Sequence, residues 1–160
     1  MLRIDFLEAI LKECKQKGIH TAVDTAGHLP WDHFERILPY TDLFLYDIKS
    51  MDEEIHRQYV GVDNRLILEN LARLLRSDTS IWVRMPVVAG VNDRLWEMQC
   101  MKLFFEENGY PDKIELLPYH PMGEHKYAAL GRTAETFAAP KAETIEELKN
   151  IILTKREENA

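Results

Sequence analysis

The stretch LFLYDIK, residues 43–49, runs from wholly apolar and aromatic side chains into Asp47, Ile48 and Lys49. A segment that apolar belongs in a sheet covered by helices rather than in a strand with one wet face. Its end is unlike its body. Asp47 and Lys49 stand at i and i+2, so an extended chain projects both from one face. Two readings are open. The charges can be an incidental pair at a strand end, which contributes only about 0–1 kcal/mol when half exposed, or they can be the floor of a site.

Working outward, helix and strand signals alternate. Ile4, Leu7, Ile10, Leu11 and Cys14 recur at helical spacing over residues 3–17, and Gly18 is placed to close that helix. IHTAV (residues 19–23) predicts a short strand, and DTAG a polar turn after it. Pro30 opens a helix carrying Phe34, Ile37 and Leu38, which Pro39 stops. After Lys49, Ser50 is the expected cap of a helix, with Glu53 at the capping-box spacing. Leu66, Leu68, Leu71, Leu74 and Leu75 mark a helix over 65–76. SIWVRMPVV then predicts a third strand and AGVND a turn. RLWEMQCMKLFFEEN is a helix ended by Gly109, and KIELLPY a fourth strand. A long loop from Gly123 to Glu143 precedes a last helix, for which Thr144 and Glu147 are the expected capping pair. Such alternation predicts an α/β fold with parallel strands joined by right-handed helical crossovers. The fold class is a partial TIM-like (β/α) barrel of about four strands. A parallel sheet that starts on a helix reads as the back portion of a larger barrel.

The composition allows this. With 160 residues, 46% hydrophobic and 29% charged, residues 1–160 suit one domain with one core. The net charge of −7 has no basic block within it, which argues against nucleic-acid binding. No run of about 18 apolar residues is present, so no membrane span is expected. The N-terminus lacks an apolar signal-peptide core, and a cytoplasmic location is the expectation. Cys14 and Cys100 have no C-x-x-C spacing and read as two ordinary thiols.

In parallel βα folds, ligands bind at the carboxyl ends of the strands. Those ends carry Asp24 and Thr25, then Asp47 and Lys49, then Arg84, then His120. Each has an ordinary explanation. An Asp before TAG commonly serves a turn, and His120 after LLPY can be a loop histidine. Arg84 lies inside WVRMPVV, where a charge is costly unless partnered. The recurrence at all four ends is what marks a rim. The acids with the Thr25 hydroxyl can hold a ribose, an ammonium group or a hard cation. Lys49 and Arg84 can hold a carboxylate.

GIHTAVDTAGHLPW, TDLFLYDIKSMDEEIHRQYVGVDN, WVRMPVVAGVND and KIELLPYHPMGEHKYAALGR together resemble the glycyl-radical-enzyme activating proteins. These are radical S-adenosylmethionine enzymes of the pyruvate formate-lyase activating type. The likeness runs from about Asp5 to Lys155, with D-T-x-G, D-I/L-K, V-P/V-x-G-x-N/D and L-L-P-Y-H in order. It implies a partial (β/α)6 barrel in which a C-x3-C-x2-C loop holds a 4Fe–4S cluster. The cluster's open iron binds S-adenosylmethionine, whose reductive cleavage yields a 5′-deoxyadenosyl radical. That radical takes a hydrogen atom from a glycine of the partner glycyl-radical enzyme, such as pyruvate formate-lyase. The resemblance implies a monovalent-cation site at Asp24, Thr25, Asp47 and the backbone near Leu45. It also implies that Lys49 reaches the cofactor carboxylate, and that Arg84, Pro86, Leu117 and His120 wall its methionine, ribose and adenine portions.

The front of the family pattern is absent from these residues. The cysteine triad and the G-G-E-P loop do not occur, and Met1 falls just past where that loop belongs. The first two βα units are accordingly expected to be missing. A cluster needs thiolates, so the chain alone is expected to bind none and to be inactive. Its IHTAV strand is expected to be an open edge through which the chain self-associates. Two alternatives remain at this point. One is a non-catalytic fragment that binds S-adenosylmethionine or docks on a glycyl-radical enzyme. The other is a barrel lyase using Lys49 as a Schiff-base amine, against which Asp47 would keep the amine protonated.

Overall fold

The computed structural model describes residues 3–123, 126, 129–131 and 136–153. Helix α1 (Ile4–Gln16) leads into β1 (Ala22–Thr25), α2 (Trp31–Ile37) with a 3-10 turn at Leu38–Tyr40, and β2 (Leu43–Asp47). Two helices, α3 (Glu53–Val60) and α4 (Arg65–Leu74), then precede β3 (Ser80–Val87). Helix α5 (Leu95–Asn108), β4 (Lys113–Pro118), a 3-10 turn at Pro121–Gly123 and α6 (Ala142–Leu153) complete the order. The four strands form one parallel sheet in the order β1-β2-β3-β4. Among the described residues no helix is long and apolar enough to cross a membrane.

Helical crossovers fit the parallel expectation, but only one sheet face is fully covered. Val23, Phe44, Tyr46, Ile81, Val83, Met85, Val87 and Leu116 point to the helices and are buried. There they meet Phe34 and Ile37 of α2, Leu71 and Leu74 of α4, and Met98, Met101 and Phe105 of α5. Alternate residues on the other face are half-buried or exposed, including Leu45, Trp82, Arg84 and Leu117. The continuous apolar run of LFLY therefore serves two surfaces of different kinds, a closed core and an open inner wall.

Several boundaries differ from expectation for local reasons. The first strand lies three residues later than IHTAV, because Ile19 is taken up by the end of α1. Its N–H donates to the Cys14 carbonyl at 2.9 Å while Gly18 adopts φ +66°. Asp24 and Thr25 are consequently strand, not turn, in register with Leu45 and Tyr46. Ser50 does not cap α3, and Glu53 is its first residue rather than a capping-box partner. Asp52 does the capping, accepting from the N–H groups of Glu54 and Ile55 at 2.8 and 3.1 Å. Pro39 does not stop the chain at once; a 3-10 turn carries it to Tyr40. Thr144 lies within the first turn of α6, two residues past its start at Ala142, and so is not its cap. Much of the 123–143 loop lies outside the described residues; of the rest, Ala138 makes an isolated antiparallel bridge to Ala89.

The β1–α2 loop is closed tightly on the core. Asn70, buried on α4, donates to the carbonyls of Gly27 and Leu29 at 2.8 and 2.7 Å. Tyr46 is fully buried below it and donates to the Ile67 carbonyl at 2.7 Å. Burial pushes the Tyr46 hydroxyl far above its ordinary pKa, so it is a permanent donor. Gly27 has φ +76°, and a Cβ there would lie 1.7 Å from the Tyr46 oxygen and 2.2 Å from ring carbon Cζ. Gly27→Ala is therefore expected to destabilise by more than about 2 kcal/mol in denaturant unfolding. Adding Tyr46→Phe should not restore it, since the ring carbon obstructs as well; full recovery would refute this account.

Candidate functional site

Parallel register builds the site. Asp47, the last residue of β2, pairs with Arg84 of β3, and Asp24 of β1 pairs with Leu45, so all three side chains rise from the open face. Arg84 reaches across the strand ends. Its Nε donates to Asp47 Oδ1 at 2.9 Å, and a terminal nitrogen reaches Asp24 Oδ1 at 2.7 Å. Lys49 Nζ donates to the other Asp47 oxygen, Oδ2, at 2.8 Å. The pair that the opening stretch displays is thus half of a four-membered network in which Asp47 is the hub. Burial lowers the pKa of Arg84, but the Asp24 and Asp47 carboxylates outweigh it and hold the guanidinium above its ordinary value.

The remaining expected residues divide. Pro86 lies on the same face as Arg84, in register with the half-exposed Leu117 of β4. His120 follows the fourth strand and accepts at Nδ1 from the Met122 N–H at 3.3 Å. Thr25 is one residue from Asp24 and so points the opposite way. It is buried on the helix side, where its hydroxyl accepts from the Gly27 N–H at 3.1 Å. Its hydroxyl closes the turn and does not meet Asp24, Asp47, Lys49 or Arg84 in any described hydrogen bond. Among the described residues, no group of three or more His, Cys, Asp or Glu side chains converges as a metal site would require.

Beside Lys49 and Pro86 opens a cavity of about 420 Å³ with largely apolar walls. Ile55, Tyr59 and Val60 of α3 form one side, Val88 and Val91 the other, and Phe137 lies across it. Phe137 packs edge-on against Tyr59 and Tyr119 at 5.9 and 5.8 Å between ring centres. His56 also lines the cavity while being almost wholly buried. Its Nδ1 lies 2.7 Å from the Val62 carbonyl, and its Nε2 is buried without a hydrogen-bond partner. The arrangement offers a slot for an apolar or aromatic group next to a cation.

Sequence reasoning passed over the buried polar groups behind this rim. Asn92 donates from Nδ2 to the Lys49 and Pro86 carbonyls, both at 2.7 Å, and accepts at Oδ1 from the Val88 N–H. Glu97 accepts from the Met51 N–H at 2.6 Å and from the Ser50 hydroxyl. Burial raises the pKa of Glu97, with these two donors pulling against the rise. The signal for Glu97 was its helical spacing with Met101 and Phe105, which puts a carboxylate on the core stripe of α5.

A sequence profile for the Radical SAM superfamily matches residues 1–99. The chain is 38% identical over 152 residues to the trans-4-hydroxy-L-proline dehydratase activating enzyme of Clostridioides difficile, covering 92% of this chain and 50% of that one. It is 36% identical over 156 residues to the pyruvate formate-lyase 1-activating enzyme of Escherichia coli, covering 95% and 63% respectively. The chain therefore spans between half and two thirds of these curated relatives. A crystal structure of a domain of the pyruvate-formate lyase-activating enzyme from Bacteroides vulgatus superposes with a TM-score of 0.81 at 31% identity, covering 94% of this chain and 86% of that one.

Exposure ranks the network's members. Asp24 is 62% exposed, whereas the Asp47 and Arg84 side chains are each 19% exposed. Arg84→Met, which removes the partner of Asp47 Oδ1 and leaves that half-buried carboxylate to Lys49 alone, is expected to cost about 1–3 kcal/mol. Asp24→Asn should cost less than about 1 kcal/mol. Equal losses in thermal or denaturant unfolding would show that Asp47 is not the hub.

Proposed function

This chain belongs to the radical SAM superfamily, among its glycyl-radical-enzyme activating members, and from that premise we propose that it supplies the cofactor-facing C-terminal portion of such an activase. The observation that supports the reading is the network of Asp24, Asp47, Lys49 and Arg84 at the strand ends, opening onto an apolar cavity. Its chemistry suits S-adenosylmethionine, which joins a carboxylate, an ammonium group, a ribose and a flat aromatic base. When bound with a reduced cluster, that cofactor supplies a carbon radical for hydrogen abstraction. Lys49 exchanges part of its contact with Asp47 for the cofactor carboxylate. Arg84, Pro86, Leu117 and His120 form the wall along the methionine and nucleoside portions. A monovalent cation beside the cofactor would take oxygens of Asp24 and Asp47 in competition with Arg84; Thr25 can join it only through its main chain, since its hydroxyl faces the helices.

A 4Fe–4S cluster does not fit these residues. Cys14 on α1 and Cys100 on α5 are two thiols on separate helices, and burial raises the pKa of Cys100, which disfavours the thiolate. The 160 residues alone are proposed to be inactive, with the partner a glycyl-radical enzyme met by the assembled activase. We also propose that β1, which lies at one edge of the sheet, is a point of self-association.

Titration calorimetry with S-adenosylmethionine tests the central reading. The unaltered chain should bind it, and Lys49→Met and Asp47→Asn should each weaken binding about tenfold or more, as loss of a charge-assisted contact does. No heat of binding from the unaltered chain would overturn the assignment. Incubation with iron, sulfide and reductant under anaerobic conditions should give no charge-transfer absorbance; a stable cluster formed with activity would overturn the claim of inactivity.

A further inference from the structure

The segment that carries Lys49 lies past the end of β2 and precedes the next helix, yet its three carbonyls at residues 49–51 and the Met51 N–H are all held by side chains from elsewhere. Asn92 holds the Lys49 carbonyl. Asn64 donates to the Ser50 and Met51 carbonyls at 3.1 and 3.0 Å. Glu97 takes the Met51 N–H and the Ser50 hydroxyl, and Ser50 Oγ accepts from the Asp52 N–H at 2.9 Å. Asn64, Asn92 and Glu97 are each 3% exposed or less. A fully buried carboxylate is costly and contributes little to stability that a well-packed apolar residue would not. Glu97 touches neither the cavity nor the charged network, since its partners are main chain and Ser50. Its placement makes sense if the position of the loop matters more than its stability.

We propose that Glu97 and Asn92 are positioning residues for Lys49, fixing the backbone of residues 49–51 so that the Lys49 ammonium is held at the mouth of the cavity to meet the anionic group of a bound ligand. The two act on different sides. Asn92 uses one carboxamide to tie the end of β2, through Lys49, to the end of β3, through Pro86 and Val88. Glu97 pins the following residues down onto α5. Together they set the separation between Lys49 and the strand that bears Arg84. This inference rests on the assignment of Lys49 to the cofactor carboxylate, but the placement of the side chain is measurable without the cofactor.

Competitive amine acetylation of the full 160-residue chain, read by mass spectrometry, reports how firmly Lys49 is held against Asp47. In Glu97→Ala and Asn92→Ala, Lys49 labelling should rise about fivefold, the effect of losing one ordinary hydrogen bond, while Lys12 and Lys15 on α1 stay unchanged. Glu97→Gln keeps the side-chain volume and one acceptor, so it serves if Glu97→Ala fails to fold; a rise of about twofold is expected there. Affinity for S-adenosylmethionine should fall about tenfold in Glu97→Ala but by less than about twofold when the same change is made on Lys49→Met, because residues acting through one another are not additive. Unchanged Lys49 labelling in Asn92→Ala and Glu97→Gln overturns the proposal. So does an undiminished loss of affinity in the Lys49→Met background. Absence of cofactor binding by the unaltered chain overturns the functional reading instead, and the labelling ratio still decides this one.

Discussion

Asp47 and Arg84 face each other across two parallel strands, and the rest of the site follows from that one register. Parallel pairing places them side by side because Asp47 ends β2 while Arg84 lies mid-strand in β3. Had the strands slipped by a single residue, Arg84 would point into the core of Met85 and Val87, where an unpaired guanidinium is untenable. The charge pair therefore guards the register as well as shaping the candidate site. It is also why Lys49 and Asp24 can be recruited: one carboxylate with two oxygens accepts Lys49 and Arg84, and the long guanidinium fork then reaches the neighbouring strand.

The two faces of the sheet are asymmetric in what they tolerate. On the helix side, large side chains such as Phe34, Phe44 and Tyr46 interlock, and ring contacts tie α2 to the second strand. The opposite face mixes Leu45, Trp82, Pro86 and Leu117 with charged groups, and Lys113 lies over the Trp82 ring at 4.5 Å. Half-buried apolar walls around a neutralised set of charges suit a ligand that is itself part aromatic and part zwitterionic.

What could be read from sequence, and what could not, divides along physical lines. The alternation of strands and helices and the rim charges were legible because periodicity and strand-end position are properties of one chain segment at a time. Asp24, Asp47 and Arg84 were found that way. The helix cap at Asp52 was missed because Ser50, two residues earlier, has equal capping chemistry but was claimed by Glu97, a residue 47 positions away. Thr25 was grouped with Asp24 by adjacency, although neighbours in a strand face opposite ways. The supports of the site, Asn64, Asn92 and Glu97, bind backbone atoms of a distant loop, and no local pattern announces that. The strongest case for the resemblance came from whole motifs, which carry such long-range pairings without displaying their reason.

Strand order has one more consequence. Each strand of this sheet pairs with the one made immediately before it, so none has to wedge between two already formed. A chain emerging from the ribosome can lay down β1, then add each later strand to a growing flank, closing only the loop of its own crossover each time. Growth by accretion keeps contacts near in sequence, which favours quick folding despite the parallel pairing. The same geometry makes the sheet modular. Further βα units could be joined at either flank without disturbing the Asp47–Arg84 pairing in the middle.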